Sequence, residues 1–269
     1  MSAREPAPYG ALRARLRHAA PDRPEVVYQR QRQSPDRLNN STRRTYDLLR
    51  STLVTTGRSM VLVERELTDA LSASRNTIRT VLQQLAREGL VTREPKNGTR
   101  ATGSLLLRID ELSTVAQFAS EPTSRVEART LERRPLGCPP MVSERLRLPA
   151  GWTVLMIESL MLENDLPLGL SVSYIALDEE QSVDFNMDEP DVILFLEQQL
   201  GIRIGGSDTT VGAVAADEQT AKLIGVEVGA PLIWLEDVIE DDNGQPRALA
   251  QLRLRGDRVA FSANARRSA

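Results

Sequence analysis

Arg75, Asn76, Thr77 and Arg79 lie within five positions of one another directly behind Ser74, and their side chains carry hydrogen-bond donors suited to phosphates and base edges. Ile78, Val81, Leu82 and Leu85 recur at i, i+3, i+4 and i+7 through the same stretch. That spacing predicts a helix with one apolar stripe and an opposite face of Asn76, Arg79, Thr80, Gln83 and Arg87. Ser74 is placed to cap this helix, its side-chain oxygen accepting from an otherwise unpaired backbone NH, so Arg75, Asn76 and Thr77 fall in the first turn. A helix built this way presents its first turn to a nucleic-acid groove.

The flanking residues supply the elements that would hold it. Gly89 follows Glu88 as a left-handed helix end, and Leu90 to Arg93 then reads as a short strand. Asn97-Gly98 suits the positive φ angles of a two-residue hairpin turn, from which Thr99 to Thr102 returns as a second strand, with Lys96 and Arg100 flanking the tip. Upstream, Leu67, Ala70 and Leu71 mark a short helix joined to the long one through Ser72-Ala73-Ser74. Tyr46, Leu49 and Leu53 mark a helix before that, ending near Gly57. Three helices and a hairpin account for residues 41–103.

Other chemistries lack their residues. Cys138 is the single cysteine, which leaves no intrachain disulfide and no multi-cysteine zinc site, and the single histidine, His18, lies in a terminal segment, so no histidine-based triad or metal site is expected. Carboxylate pairs such as Glu179-Glu180 and Asp241-Asp242 read as surface and turn residues. No metal and no cofactor is expected. The sequence has no apolar run of about 18 residues, and its first ten residues, MSAREPAPYG, contain no apolar core, so neither a membrane span nor a secretory signal is expected. A reducing cytoplasm fits.

Charge divides the chain. Residues 1–104 hold 19 Lys or Arg against 10 Asp or Glu, a net of +9, whereas residues 105–269 hold 15 against 27, a net of −12. The basic part is the one that attracts a polyanion. Residues 1–40 contain Arg13, Arg15 and Arg17 among five prolines and read as a mobile basic extension. Residues 104–121 read as a connector with one short strand. Beyond it, strand patterns run from Trp152 to Met161, Leu166 to Ile175, Ile202 to Val214, Pro231 to Ile239 and Arg247 to Leu254. Asp191 to Leu200, between Pro190 and Gly201, and Asp217 to Ile224, before Gly225, read as helices, and Asp241 to Gly244 as a hairpin turn. Residues 122–269 thus form an α/β unit of mainly antiparallel pairing.

The segment from Val61 through Gly98 resembles the N-terminal domain of GntR-family bacterial transcription factors. The carrying residues are Glu64-Arg65-Glu66-Leu67, Ser74-Arg75-Asn76-Thr77-Ile78-Arg79, Glu88-Gly89-Leu90 and Gly98. The resemblance implies that Arg65, Arg75, Thr77 and Arg79 are the main DNA contacts, flanked by Ser74 and Asn76, and that Asn97 and Gly98 bring the wing to the minor groove. One departure is visible. The family places Pro-Ser before its Glu-Arg-Glu, and this chain has Leu62-Val63, so the second helix should lack a hydroxyl cap at a cost of about 1 kcal/mol.

Residues 122–267 resemble the effector-binding domain called UTRA, which defines the HutC subfamily of GntR regulators. The carrying stretches include Glu163-Asn164-Asp165-Leu166-Pro167, Ser173-Tyr174-Ile175, Asn243-Gly244-Gln245-Pro246 and Arg255-Gly256-Asp257-Arg258. The resemblance implies an α+β chain, in which a winged helix-turn-helix joins a mixed α/β domain of chorismate lyase-like fold. It also implies a small-molecule effector and a homodimer paired through its sheets. Where relatives that bind phosphosugars or carboxylates have two arginines, this chain has Ser159 and Met161; Ser171, Ala248 and Leu254 likewise replace polar residues, with Ser173 beside them. The resemblance therefore implies a pocket for an apolar or weakly polar ligand, or a domain kept for dimerisation alone. The expected activity is that of a ligand-responsive repressor on an inverted-repeat, double-stranded operator. The alternative from another class is an enzyme of chorismate lyase-like fold fused to a DNA-binding module.

Overall fold

The computed structural model describes residues 42–56, 60–94, 98–118, 124–177 and 188–266. The basic extension, Gly57, Lys96, Asn97 and the Glu179-Glu180 pair lie outside the described residues.

Helix α1 (Thr42–Thr56), helix α2 (Glu64–Ala70) and helix α3 (Arg75–Arg87) pack around one core. Leu49 and Leu53 of α1, Leu67 of α2, and Ile78, Val81, Leu82 and Leu85 of α3 are all buried in it. The apolar stripe read from the sequence is thus the packing face of α3. Each such side chain contributes about 1.5–3 kcal/mol through burial. The Oγ of Ser74 accepts from the Thr77 backbone NH at 3.1 Å, and Gly89 closes the helix at φ +77°. Helix α2 starts on Val63 with no side-chain cap, as the missing Pro-Ser implied.

Strand β1 (Val61–Leu62), β2 (Val91–Glu94) and β3 (Gly98–Ala101) form a three-stranded antiparallel sheet in the order β1-β3-β2. Only the β2–β3 hairpin was expected. A two-residue strand is too short to show any periodicity, and β1 is held by Leu62, buried in the helical core.

The second unit is built on a six-stranded antiparallel sheet in the order β5-β6-β7-β10-β9-β8. Its strands are β5 (Val126–Gly137), β6 (Thr153–Glu163), β7 (Leu166–Ala176), β8 (Ile204–Ala215), β9 (Pro231–Asp241) and β10 (Pro246–Arg255). Helix α4 (Pro140–Leu146) lies on one face through Val142 and Leu146, which pack with Val154 and Leu249. On the same face, helix α6 (Glu218–Ile224) packs through Ala221 and Ile224 against Leu170 and Leu232. Asp217 caps α6 by accepting from Thr220 N, and Gly225 ends it at φ +67°. Strand β5 and helix α4 were not anticipated.

Two covers sit on the opposite face. One is helix α5 (Val192–Leu194), which continues as a π turn over Phe195–Gln199 within the stretch expected to be helical from Asp191 to Leu200. The Leu200 NH reaches the Phe195 carbonyl five residues back at 3.3 Å, and the widened turn leaves both Phe195 and Leu196 fully buried against the sheet. The other cover is strand β4 (Leu105–Arg108), paired in parallel with β11 (Val259–Ser262) and followed by a 3-10 turn (Val115–Phe118). Leu105 and Leu107 of β4 are buried with Met161, Leu254 and Val259. The stretch read as a connector therefore carries its one expected strand.

Candidate nucleic-acid interface and effector site

With the apolar stripe of α3 turned inward, the residues between its members face solvent. Arg75, Asn76, Arg79, Thr80 and Gln83 are exposed, as is Arg65 on α2. Thr77 is half-buried, and its hydroxyl lies 2.9 Å from the Ser74 Oγ, so it serves the cap as well as the surface. The guanidinium of Arg79 is drawn back within the chain, donating through Nε to Glu64 Oε2 at 2.9 Å. Arg75 makes no such ion pair among the described residues. Gly98 opens the second wing strand at φ +83° with nothing within 4 Å of where a Cβ would stand, which leaves its backbone approachable.

At the other end of α3 the helix is tied to the second unit. Tyr46 donates to the Glu88 carboxylate at 2.5 Å, and Arg50 contacts the same oxygen at 3.3 Å. Burial, then the bond to Glu88, holds the Tyr46 hydroxyl above the ordinary phenol range. Arg50 also reaches the Gly256 carbonyl at 3.5 Å, in the turn between β10 and β11. A Cβ on Gly89 would stand 3.2 Å from the Asp257 carboxylate of that turn. A cleft of about 1010 Å³ opens between the units beside these contacts.

The residues expected to line an effector site share one sheet face. Ser159 of β6 sits opposite Ser171 of β7, Met161 opposite Gly169, and Ser173 between Ile157 of β6 and Ala250 of β10. Gly169 in turn faces Leu254, and Ile175 faces Ala248. The register separates them by role. Met161 and Leu254 are core residues under β4 and β11, and Ala248 is a core residue under α5. Between these two apolar clusters runs a polar belt of Ser159, Ser171 and Ser173. Ser159 is fully buried, and its Oγ has no hydrogen-bond partner among the described residues. A buried hydroxyl left without a partner costs about 1–3 kcal/mol.

Two charged residues on this face escaped the sequence reading. Arg133 of β5, opposite Ile157, holds its guanidinium 5.1 Å from the centre of the Phe195 ring. Asp237 of β9, opposite Ala250, accepts from the Thr209 hydroxyl of β8. Burial pushes the Asp237 carboxyl above its ordinary range, opposed by the Thr209 hydrogen bond and reinforced by the charge of Asp208. The pattern Ile233, Leu235, Asp237, Ile239 held the clue, because a lone carboxylate occupies the inward parity of an otherwise apolar strand. Asp191 is a different case. Its carboxylate caps α5 at Ile193 N and takes the Val115 NH at 2.6 Å, clamping the 3-10 turn to α5.

Residues 42–100 match the bacterial regulatory proteins of the gntR family, and residues 123–260 match the UTRA domain. The chain is 24% identical over 208 residues to the probable fructoselysine utilization operon transcriptional repressor of Escherichia coli O157:H7, spanning 76% of this chain and 84% of that protein. It is 23% identical over 201 residues to the HTH-type transcriptional repressor NagR of Bacillus subtilis (strain 168), spanning 74% of this chain and 82% of NagR. The crystal structure of PhnF from Mycobacterium smegmatis shares the fold at a TM-score of 0.58 and 18% sequence identity, over 83% of this chain and 100% of that one. The wing-and-helix unit and the sheet unit occupy the two matched stretches in that order. The chain therefore belongs to the gntR family of bacterial regulatory proteins, among those that carry a UTRA domain.

Proposed function

We propose that this regulator is a ligand-responsive repressor that binds an inverted-repeat operator as a homodimer in the cytoplasm. The observation that carries the reading is the first turn of α3, where Arg75 and Asn76 stand exposed behind a formed Ser74 cap. Two such helices, one from each protomer, enter successive major grooves. Arg75 and Arg79 read bases or phosphates, Arg65 and Thr77 support them, and Gly98, with Asn97 before it in sequence, approaches the minor groove.

The sheet face bearing Ser159, Ser171 and Ser173 receives the effector. Ser159 and Met161 offer no guanidinium to hold a phosphate, and Arg133 on the same face is placed over the Phe195 ring, which favours a ligand less anionic than a phosphosugar. Strand β10 lines that face at Ala248, Ala250, Leu252 and Leu254 and ends in the turn that meets Arg50 and Gly89. A ligand that displaces β10 thereby biases the position of α3, by no more than its preference between the two arrangements. Among the described residues no group of three or more His, Cys, Asp or Glu forms a metal site. No helix among them is long and apolar enough to cross a membrane.

Footprinting on the DNA upstream of the chain's own coding sequence tests the proposal. The expected result is protection of two half-sites related by a two-fold axis, lost in Arg75→Ala. Protection of a single asymmetric stretch, or none, would overturn it.

A further inference from the structure

At the β8–β9 end of the effector face, a cavity of about 60 Å³ is lined by Leu235, Leu252, Leu254, Phe118 and Phe261 together with Asp237. Ile109 and Leu112 also line it, and they are 37% and 39% exposed although both are large and apolar. Hydroxyls are the hydrogen-bond donors that meet Asp237: Thr209 directly, with Ser207 beside it. The one cation in the lining, Arg108, is committed elsewhere, to Asp110 at 2.5 Å and Glu111 at 3.3 Å. A carboxylate in such a place is half-desolvated and lacks an opposite charge among the described residues. A cation brought by a ligand would supply it, and the low dielectric of the apolar walls would strengthen the pair.

We infer that the effector is an amphipathic amine, its ammonium or similar cationic head seated against Asp237 and its apolar body running along Leu252 and Leu254 toward Ile109 and Leu112. This rests on the reading of the sheet face as the effector site and deepens it. The cavity is large enough for the head group alone. The body follows Ile109 and Leu112, which accounts for two exposed aliphatic side chains on an otherwise polar turn. An anionic head is disfavoured twice, by repulsion from Asp237 and by the prior commitment of Arg108. A neutral head would leave the half-buried carboxylate without its counter-charge.

Three probes with the same body and different heads separate these cases: 4-phenylbutylamine, 4-phenylbutanol and 5-phenylpentanoate, each titrated into the full chain by calorimetry and thermal shift. The amine is expected to bind at least about tenfold more tightly than the other two, a difference of about 1.4 kcal/mol. In Asp237→Asn the amine should fall to the level of the alcohol. An amine no better than the alcohol, a preference for the carboxylate, an unchanged preference in Asp237→Asn, or no binding of any probe would each overturn the inference. If Asp237→Asn does not fold, the ranking of the three probes on the unsubstituted chain decides. The same titrations with operator present keep the two readings apart. Operator release by the alcohol or carboxylate alone leaves the effector face standing and removes the cation. Tight, Asp237-dependent amine binding with operator affinity unchanged supports the cation site and removes the effector role.

Discussion

Single side chains on α3 are not equivalent, because one of them is already paired. Arg79 donates to Glu64, so moving it onto DNA exchanges one charged partner for another, whereas Arg75 starts solvated. Arg75→Ala is therefore expected to cost about 1–3 kcal/mol of operator binding in gel-shift titration and to relax preference at one base, and Arg79→Ala to cost less. Equal losses would mean that the Glu64 pair is absent in solution. Asp237 gives a prediction in pH. Burial raises its pKa in the folded chain above the ordinary 3.8, so the folded state holds that proton over a range where the unfolded state has released it. Its contribution to stability is fully present below the unfolded value and is lost as pH rises through the raised one. Without ligand, Asp237→Asn should melt above the parent chain at about pH 8 and converge with it toward about pH 4. A lower melting temperature at the alkaline end would contradict the burial argument. The exposed face of α3 was legible because helical periodicity assigns a face to each of its residues. The candidate effector face was legible only in part, since parity within a strand shows which residues point inward but not which inward residues are core. Met161 and Leu254 proved to be core, and Arg133, beyond a bulge between Thr130 and Glu132, had no parity to be read by.

Among the elements, α3 depends on both its cap and its stripe, and the two can be weakened separately. Ser74→Ala removes the acceptor for Thr77 N and should cost about 1 kcal/mol, seen as a shifted urea midpoint with an unchanged slope. Ile78→Ala empties a fully buried position and should cost about 2–5 kcal/mol. If the first change were as costly as the second, the cap would be holding more than one helix end. The elements that could be read share a property: each buries a regular stripe or ends on a glycine of positive φ, as α3 does at Gly89 and α6 at Gly225. The elements that escaped are those where burial is irregular. Strand β5, an edge strand of sequence VEARTLERRPLG, carries charges on both faces and a proline. Helix α4 has seven residues, begins on Pro140 and buries only Val142 and Leu146. Neither is encoded by its own periodicity, and both are held by the sheet they lie on.

Across the whole molecule the two edges of the sheet differ in how they meet water. Strand β5 is defended by Pro135, by Arg129, Glu132 and Arg134, and by its bulge, all devices that discourage a further strand from pairing. Strand β8, IGGSDTTVGAVA, has no Lys, Arg or Pro over 12 residues, and its bulge lies at its start, between Ile204 and Gly206. Val211 in its middle is 44% exposed. An undefended edge of this length suits the homodimer proposed above: antiparallel pairing of β8 with itself would join two sheets about a two-fold axis, the symmetry an inverted repeat demands. The expected species in sedimentation equilibrium is a dimer of twice 29.8 kDa. Adjacent residues in a strand direct their NH groups to opposite sides, so Thr210→Pro and Val211→Pro do not do the same damage. One of the pair should strike the outer edge, giving a folded monomer that protects a single half-site. The other should break the β8–β9 ladder and lower the melting temperature. Two variants that both remain dimeric and stable would place the seam on another surface.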